Sequence, residues 1–505
     1  MLAGSSITSI DKMRPFYEEI GIKMSASSNL LEKEVVQLFD LEQEILKKEL
    51  NGKPVSLIYD GKKKYGKELL GVVARYLTED FVINQKLLDL SFFNESIDNQ
   101  KLYSSIINSA NEKGILAKNV VGSICDRSSV NIKARKDFFK NFYVNCQFLE
   151  CLSHTAQNTG KKIKINKLKK FIHNLRELIK NIKFTFDLKE NNQKNNIIPS
   201  LLKECNLNKF FSEYEQLKDI NLMWNNIVLT INSWESKKKK SKSLLKLVDI
   251  INDDRKREIN PNEGSNDLFY AKLELKCILD FGSVLYSMCY DAEADGLTVI
   301  HVYDKIENIK KFIEKKEFPI LTNFLISQNI EIGTQKFINM KNYCLDLLKD
   351  SFDYFETHFG EENGILKEEM RLFKFCRILQ PSKCCEMITN GFNLNDYKDL
   401  KFFDLEFENI SKEFEKYIML CNQLIKKDSE DDEILKWWNK NQNELPNWSK
   451  LARYCFTLCS SSTAIERVFF LLDNRFGDQQ ARSSKELITV QLQTVFNKRK
   501  YNELI

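Results

Sequence analysis

Two aspartates stand where short apolar runs end. Asp60 closes VSLIYD (55–60) and Asp126 closes VVGSICD (120–126). A carboxylate at a strand end is a hard oxygen ligand for Mg²⁺ or a similar divalent ion, and it serves equally well as a helix cap or an ion-pair partner. A third acid, Glu466, interrupts the apolar stretch TAIERVFFLL. A charge buried there is costly unless it is paired or metal-bound; the plainer reading is a Glu466–Arg467 surface on a buried helix. Cys151 and His154 form C-x-x-H. Two ligands at that spacing suit zinc, but no second pair follows, which favours a packed thiol and a hydrogen-bonded imidazole. Lys237, Lys238, Lys239 and Lys240, with Lys242, make a basic run in ESKKKKSKS (235–243). Such a run is a solvated loop, a phosphate contact or a nuclear-import signal.

The elements that would position these groups follow from hydrophobic period. LLEKEVVQLFDLEQEILKKEL places Leu31, Val35, Leu38 and Leu41 near one helical face. The period then changes. VSLIYD, ELLGVVARYL (68–77) and FVINQKLLDLSFF (81–93) read as a three-stranded antiparallel meander. Helical spacing returns at 99–114, VVGSICD is a buried strand, and after another helix NCQFLEC (145–151) is a short one. The order is β-β-β-α-β-α-β, with an acid ending the first and fourth strands. From about 160 to 445 the pattern is nearly all helical, and a small-residue turn, CSSST (459–463), precedes the helix that carries Glu466.

The 505 residues suit two to four domains, and 43% hydrophobic residues with only 7 Pro and 17 Gly exclude a disordered chain. The net charge of +5 permits a nucleic-acid partner without demanding one. No apolar run approaches a membrane span, and the N-terminus lacks a signal-peptide pattern. Thirteen scattered cysteines read as reduced intracellular thiols.

Five blocks, in order along the chain, resemble hAT (hobo–Activator) DNA transposases. KPVSLIYDGKKKYGKELLGVVARYL (53–77) resembles the first-aspartate block, and ICDRSSVNIKA (124–134) is similar to the second. ECLSHTAQNTGKK (150–162) resembles the C-x-x-H block, DAEADGLTVIHVYDKI (291–306) an acidic segment of the insertion, and SSSTAIERVFFLLDNRFGDQQ (460–480) the C-terminal signature. The sequence departs from the family in two respects. No BED-type zinc finger is visible, and Phe470 stands where the signature usually has Ser.

The resemblance implies an α/β plus all-α architecture, in which an RNase H-like (retroviral-integrase-type) core is interrupted by a large α-helical insertion domain. It implies an N-terminal helical segment over 1–50, the first part of the core over 51–175, the insertion over 176–445, and the final core helices with the dimerisation signature over 446–505. Asp60, Asp126 and Glu466 would hold two Mg²⁺ (or Mn²⁺) ions, His154 would act near the scissile phosphate, and Cys151 would support the site. Trp224 lies where the family often has an Arg-Trp pair that stacks on a flipped base; Met223 replaces the Arg, and Trp234 is the rival position. Arg127, Arg467 and the lysine run would contact DNA. The implied partners are double-stranded transposon ends, target DNA and a second subunit in a homodimer or higher oligomer. The implied location is the nucleus, and the implied activity is cut-and-paste strand cleavage and transfer. The alternative is a domesticated transposase-derived DNA-binding or scaffold protein without catalysis.

Overall fold

The computed structural model describes residues 8–21, 33–182 (175–182 by backbone alone), 214, 217, 218, 220–222, 224, 267–401, 406–423, 430–476 and 484–498. Met223, Trp234, the lysine run Lys237–Lys240 and Lys242 lie outside the described residues. No described helix is long and apolar enough to cross a membrane.

After helices α1 (Thr8–Glu19) and α2 (Val35–Leu50) come β1 (Val55–Lys64), β2 (Lys67–Leu77) and β3 (Ile83–Phe93). Helix α3 (Asn99–Glu112) leads to β4 (Val120–Cys125); α4 (Ser129–Ala134) then leads to β5 (Gln147–Glu150). The five strands form one mixed sheet in the order β3-β2-β1-β4-β5. The pairs β1–β2 and β2–β3 are antiparallel, and β1–β4 and β4–β5 are parallel. Each parallel connection needs a crossover, which α3 and α4 provide. One face of the sheet carries Leu57, Tyr59, Val72 and Ala74, packed in a core with Leu102, Ile106 and Phe139.

β3 is an edge strand, and its backbone is not left bare. Val72 pairs with Asp89 but Val73 with Leu87, so Leu88 is the extra residue of a bulge. The last helix, α17 (Lys485–Phe496), covers it. Gln493 donates to the Leu87 and Leu88 carbonyls, and the Leu87 N–H donates to Asn497. An edge capped in this way cannot pair with another strand.

The chain forms two compact units: 1–154 with 291–303 and 368–505, and 155–290 with 304–367. The resemblance implied boundaries at 175 and 445. Periodicity reports that a segment is helical, not which core its apolar face meets. Residues 291–303 illustrate this. They open α8 (Thr298–Lys315), yet they belong with the sheet unit. Arg75 on β2 is fully buried and donates to the carbonyls of Asp295 (3.0 Å), Gly296 (2.7 Å) and Phe456 (3.3 Å). Asp431, in α14 (Asp431–Asn441), accepts the Leu297 N–H and bonds His301 Nε2 at 2.7 Å. A Cβ on Gly296 would lie 1.9 Å from Asp431 Oδ2, so only glycine permits that approach.

In the other unit, helix α7 (Asp267–Glu293) supplies two buried carboxylates, Glu274 and Asp280. Glu274 accepts the N–H groups of Asn166, Lys167 and Leu168 at the start of α6 (Lys167–Ile182), and Asp280 accepts those of Ile320 and Leu321 in α9 (Pro319–Ser327). Side chains from a third helix thus satisfy amides that a helix start leaves unpaired.

Candidate carboxylate site

Asp60 sits in the central strand β1, cross-strand from Gly71 on β2. Ile58 pairs with Ile124 in the parallel neighbour β4, so the next residues in step, Asp60 and Asp126, fall on one face; Asp126 follows the end of β4, but Asp60 does not end its strand as the sequence suggested, because β1 stays paired with β2 as far as Lys64. Helix α16 (Thr463–Arg475) lies over that face. Its Ile465 is fully buried and occupies the space that Gly71 leaves open. A glycine inside a strand run signals a close approach, and here it places the next residue, Glu466, over the carboxylates.

The C-x-x-H block reaches the same place through backbone bonds. Cys151 N–H donates to the Cys125 carbonyl, Leu152 N–H to the Ser460 carbonyl, and Ser462 N–H to Cys151 Sγ (3.2 Å). The small-residue turn before α16 is thereby pinned to the end of β5. His154 Nδ1 then lies 3.8 Å from Glu466 Oε1.

The electrostatics confirm how close these groups are. Burial, then repulsion from Asp126, with a smaller contribution from Glu466, raises Asp60 from 3.8 to about 7; the Gly61 N–H and His154 oppose the rise. The contact with Cys151, helped by the Glu466 and Asp60 carboxylates, raises His154 to about 10 against the effect of burial, so it is an imidazolium at neutral pH. Asp126 is held by the Ser128 N–H (3.1 Å) and Asn131 Nδ2 (2.5 Å), both on Oδ1. The structure thus gathers Asp60, Asp126, Glu466 and His154. Among the described residues, no group of three or more His, Cys, Asp and Glu is set close enough to hold a metal ion. The donor chemistry nonetheless suits divalent ions: burial and the neighbouring Asp126 both disfavour a charged Asp60, and a cation would offset both.

Other expected site residues stand differently. Glu466 is not a buried charge; its side chain is 44% exposed on the open side of α16. Ala464, Ile465, Val468, Phe469 and Leu472 point the other way and are buried, while Phe470 shares the open side with Glu466. Arg127 bonds Glu150 at 2.8 Å and Arg467 bonds Asp295 at 2.6 Å, so both are ion-paired. Stacking on a flipped base would need an open Trp224 ring face; the alternative is a core tryptophan on a helix. Trp224 is buried, with its ring 5.0 Å from that of Phe171 and the Lys272 ammonium 5.8 Å away. Tryptophan is equally suited to stacking on a base or on phenylalanine, so residue type could not separate the two. Arg75, Gly71 and the Asp431–His301 pair were missed; of these, only Gly71, a glycine within a strand run, carried a signal.

The matched family region lies in the sheet unit. It runs from within α13 (Phe407–Asn422) through α14, α15 (Pro446–Thr457) and α16 to α17. Its centre is a stack of Tyr417 between Trp448 (4.4 Å) and Trp438 (5.5 Å). The indole N–H groups of Trp438 and Trp448 donate to the Leu379 and Ile410 carbonyls. No curated protein matches the chain. Residues 413–494 match the model of the hAT family C-terminal dimerisation region.

Proposed function

We propose that this protein is a hAT-type DNA transposase, a DDE-type nuclease and strand transferase acting in the nucleus, and that its five-stranded sheet is an RNase H-like core. The observation that carries the reading is the convergence of Asp60, Asp126, Glu466 and His154 at one place on the sheet, although Glu466 is separated from the others by most of the chain. The strand order β3-β2-β1-β4-β5 and the family match support it.

In this reading Asp60, Asp126 and Glu466 hold two Mg²⁺ or Mn²⁺ ions, which supply an activated oxygen nucleophile and stabilise the leaving oxygen. The chain's own part is positioning. Asn131 and the Ser128 N–H orient Asp126. Gly71 seats α16 so that Glu466 faces the two aspartates. The His154 imidazolium steadies Glu466 and offers positive charge to a phosphate at the cut.

The test is incubation of the full chain with Mg²⁺ or Mn²⁺ and DNA carrying the element's own ends. Metal-dependent nicks are expected, and Asp60→Asn, Asp126→Asn and Glu466→Gln should each lower the rate at least about a hundredfold if the three act as one site. Equal nicking by the variants would exclude these residues. A second reading, a DNA-binding or scaffold protein without catalysis, draws on the absence, among the described residues, of a ligand group set close enough to hold a metal ion. It predicts DNA binding with no nicking in either metal.

A further inference from the structure

The β1–β2 hairpin continues straight out of the carboxylate site. Alternate residues of a strand share a face, so Lys62 and Lys64 lie on the same side of β1 as Asp60. At strand rise they stand about 7 Å and about 13 Å beyond it. On α16, Phe470 and Asp473 follow Glu466 by four and seven residues, which puts all three on one helical face. Helix and strand therefore run side by side, acids at one end and lysines at the other.

The two lysines converge on a single carboxylate. Lys64 Nζ bonds Asp473 Oδ1 at 3.0 Å and the Leu472 carbonyl at 3.1 Å, and Lys62 Nζ bonds Asp473 Oδ2. One negative charge thus holds two positive ones; Asp473 is 44% and Lys62 33% exposed, while Lys64 lies deeper at 12%. Between this cluster and Glu466 the ring of Phe470 is 66% exposed. The hairpin that carries the lysines is pre-shaped: Tyr65 and Gly66 take left-handed backbone angles (φ 55° and 70°), and the Tyr65 hydroxyl donates to the Phe476 carbonyl.

We infer that β1 and α16 form a track for a DNA strand leading away from the carboxylates, in which Lys62 and Lys64 bind backbone phosphates and Asp473 competes with those phosphates for both lysines. The inference rests on the proposed DNA substrate and adds where the strand runs and what gates it. With one phosphate of each strand per about 3.4 Å of duplex axis, a duplex lying along the track has the contacted phosphates about two to four nucleotides from the cut. Phe470 offers an exposed ring for a base along the way. Asp473 keeps the lysines ordered and partly neutralised until a strand displaces it.

The test is fluorescence anisotropy with the full chain and a labelled random-sequence DNA duplex, with salt varied from about 50 to about 200 mM. No metal and no cleavage are needed. Asp473→Asn should tighten binding severalfold. The pair Lys62→Gln and Lys64→Gln should weaken binding and flatten the log–log salt slope by about 1.8, at about 0.9 per lost phosphate contact. Adding Asp473→Asn to that pair should bring no gain. A purely structural Asp473 would instead lower the melting temperature and leave or weaken binding, which would overturn the gate. A wild-type chain that binds DNA with a slope independent of both lysines would overturn the track alone. A wild-type chain that shows no salt-sensitive binding would overturn the track together with the DNA reading beneath it.

Discussion

A Cβ on Gly71 would lie 2.2 Å from Ile465 Cδ1 and 3.0 Å from its Cγ1. Ile465 is fully buried, so turning its terminal methyl aside must disturb packed neighbours. Gly71→Ala must therefore push α16 outward or force an unfavourable rotamer, at about 1–3 kcal/mol. Ile465→Val deletes the offending Cδ1 and alone costs about 0.5–1.5 kcal/mol. In urea unfolding the two changes should be strongly non-additive, with Ile465→Val neutral or stabilising in the Gly71→Ala background. Simple addition of the two costs would show that the helix does not seat through this contact. Gly71 is the residue-scale reason that an acid near the C-terminus meets an aspartate near residue 60.

Among the elements, α7 determines how its unit is built, because Glu274 and Asp280 on one helix cap two others. Glu274 is fully engaged, taking three backbone N–H groups and the Tyr343 hydroxyl (2.6 Å). Asp280 has only two amides to offset its burial, which raises it from 3.8 to about 6. The folded state therefore holds this proton more tightly than the unfolded chain does. The stability Asp280 adds is fully present below about pH 4 and is lost as pH rises through about 6. Asp280→Asn cannot titrate and keeps one acceptor for the α9 start. Its destabilisation, measured by urea unfolding, should therefore shrink between about pH 5 and about pH 7. A penalty that grows with pH would mean the carboxylate is the stabilising form. The edge strand β3 is served in the same way by α17, through Gln493 and Asn497.

For the whole molecule, the matched dimerisation region spends most of its apolar surface internally. Val468, Leu472, Leu487, Val490 and Leu492 are buried within one chain. Among the described residues of that region, Met419 (64% exposed) and Phe470 leave a large apolar side chain open. If the chain pairs with a copy of itself through α13, it should sediment as a dimer at micromolar concentration, and Met419→Asp should shift it toward monomer with its melting temperature unchanged. Leu487→Ala should do the opposite, losing about 2–5 kcal/mol of stability while the dimer persists. A wild-type monomer at that concentration would remove the dimer from this account.

The sequence by itself determined the strand segments and their order, because apolar period is a local property; it stopped β1 at Asp60, where the apolar run ends, although the strand's pairing with β2 carries it on to Lys64. It also marked TAIERVFFLL as a packing helix. Only the tertiary structure decided which side of that helix Glu466 takes, since a helix with a broad apolar stripe still has one open edge. It also decided that Trp224 faces Phe171, that Arg75 and Asp431 bind residues 291–303 to the sheet unit, and that Lys62 and Lys64 share Asp473. Each of these joins residues far apart in the chain, through contacts set by the closure of the fold and not by any period that neighbouring residues can carry.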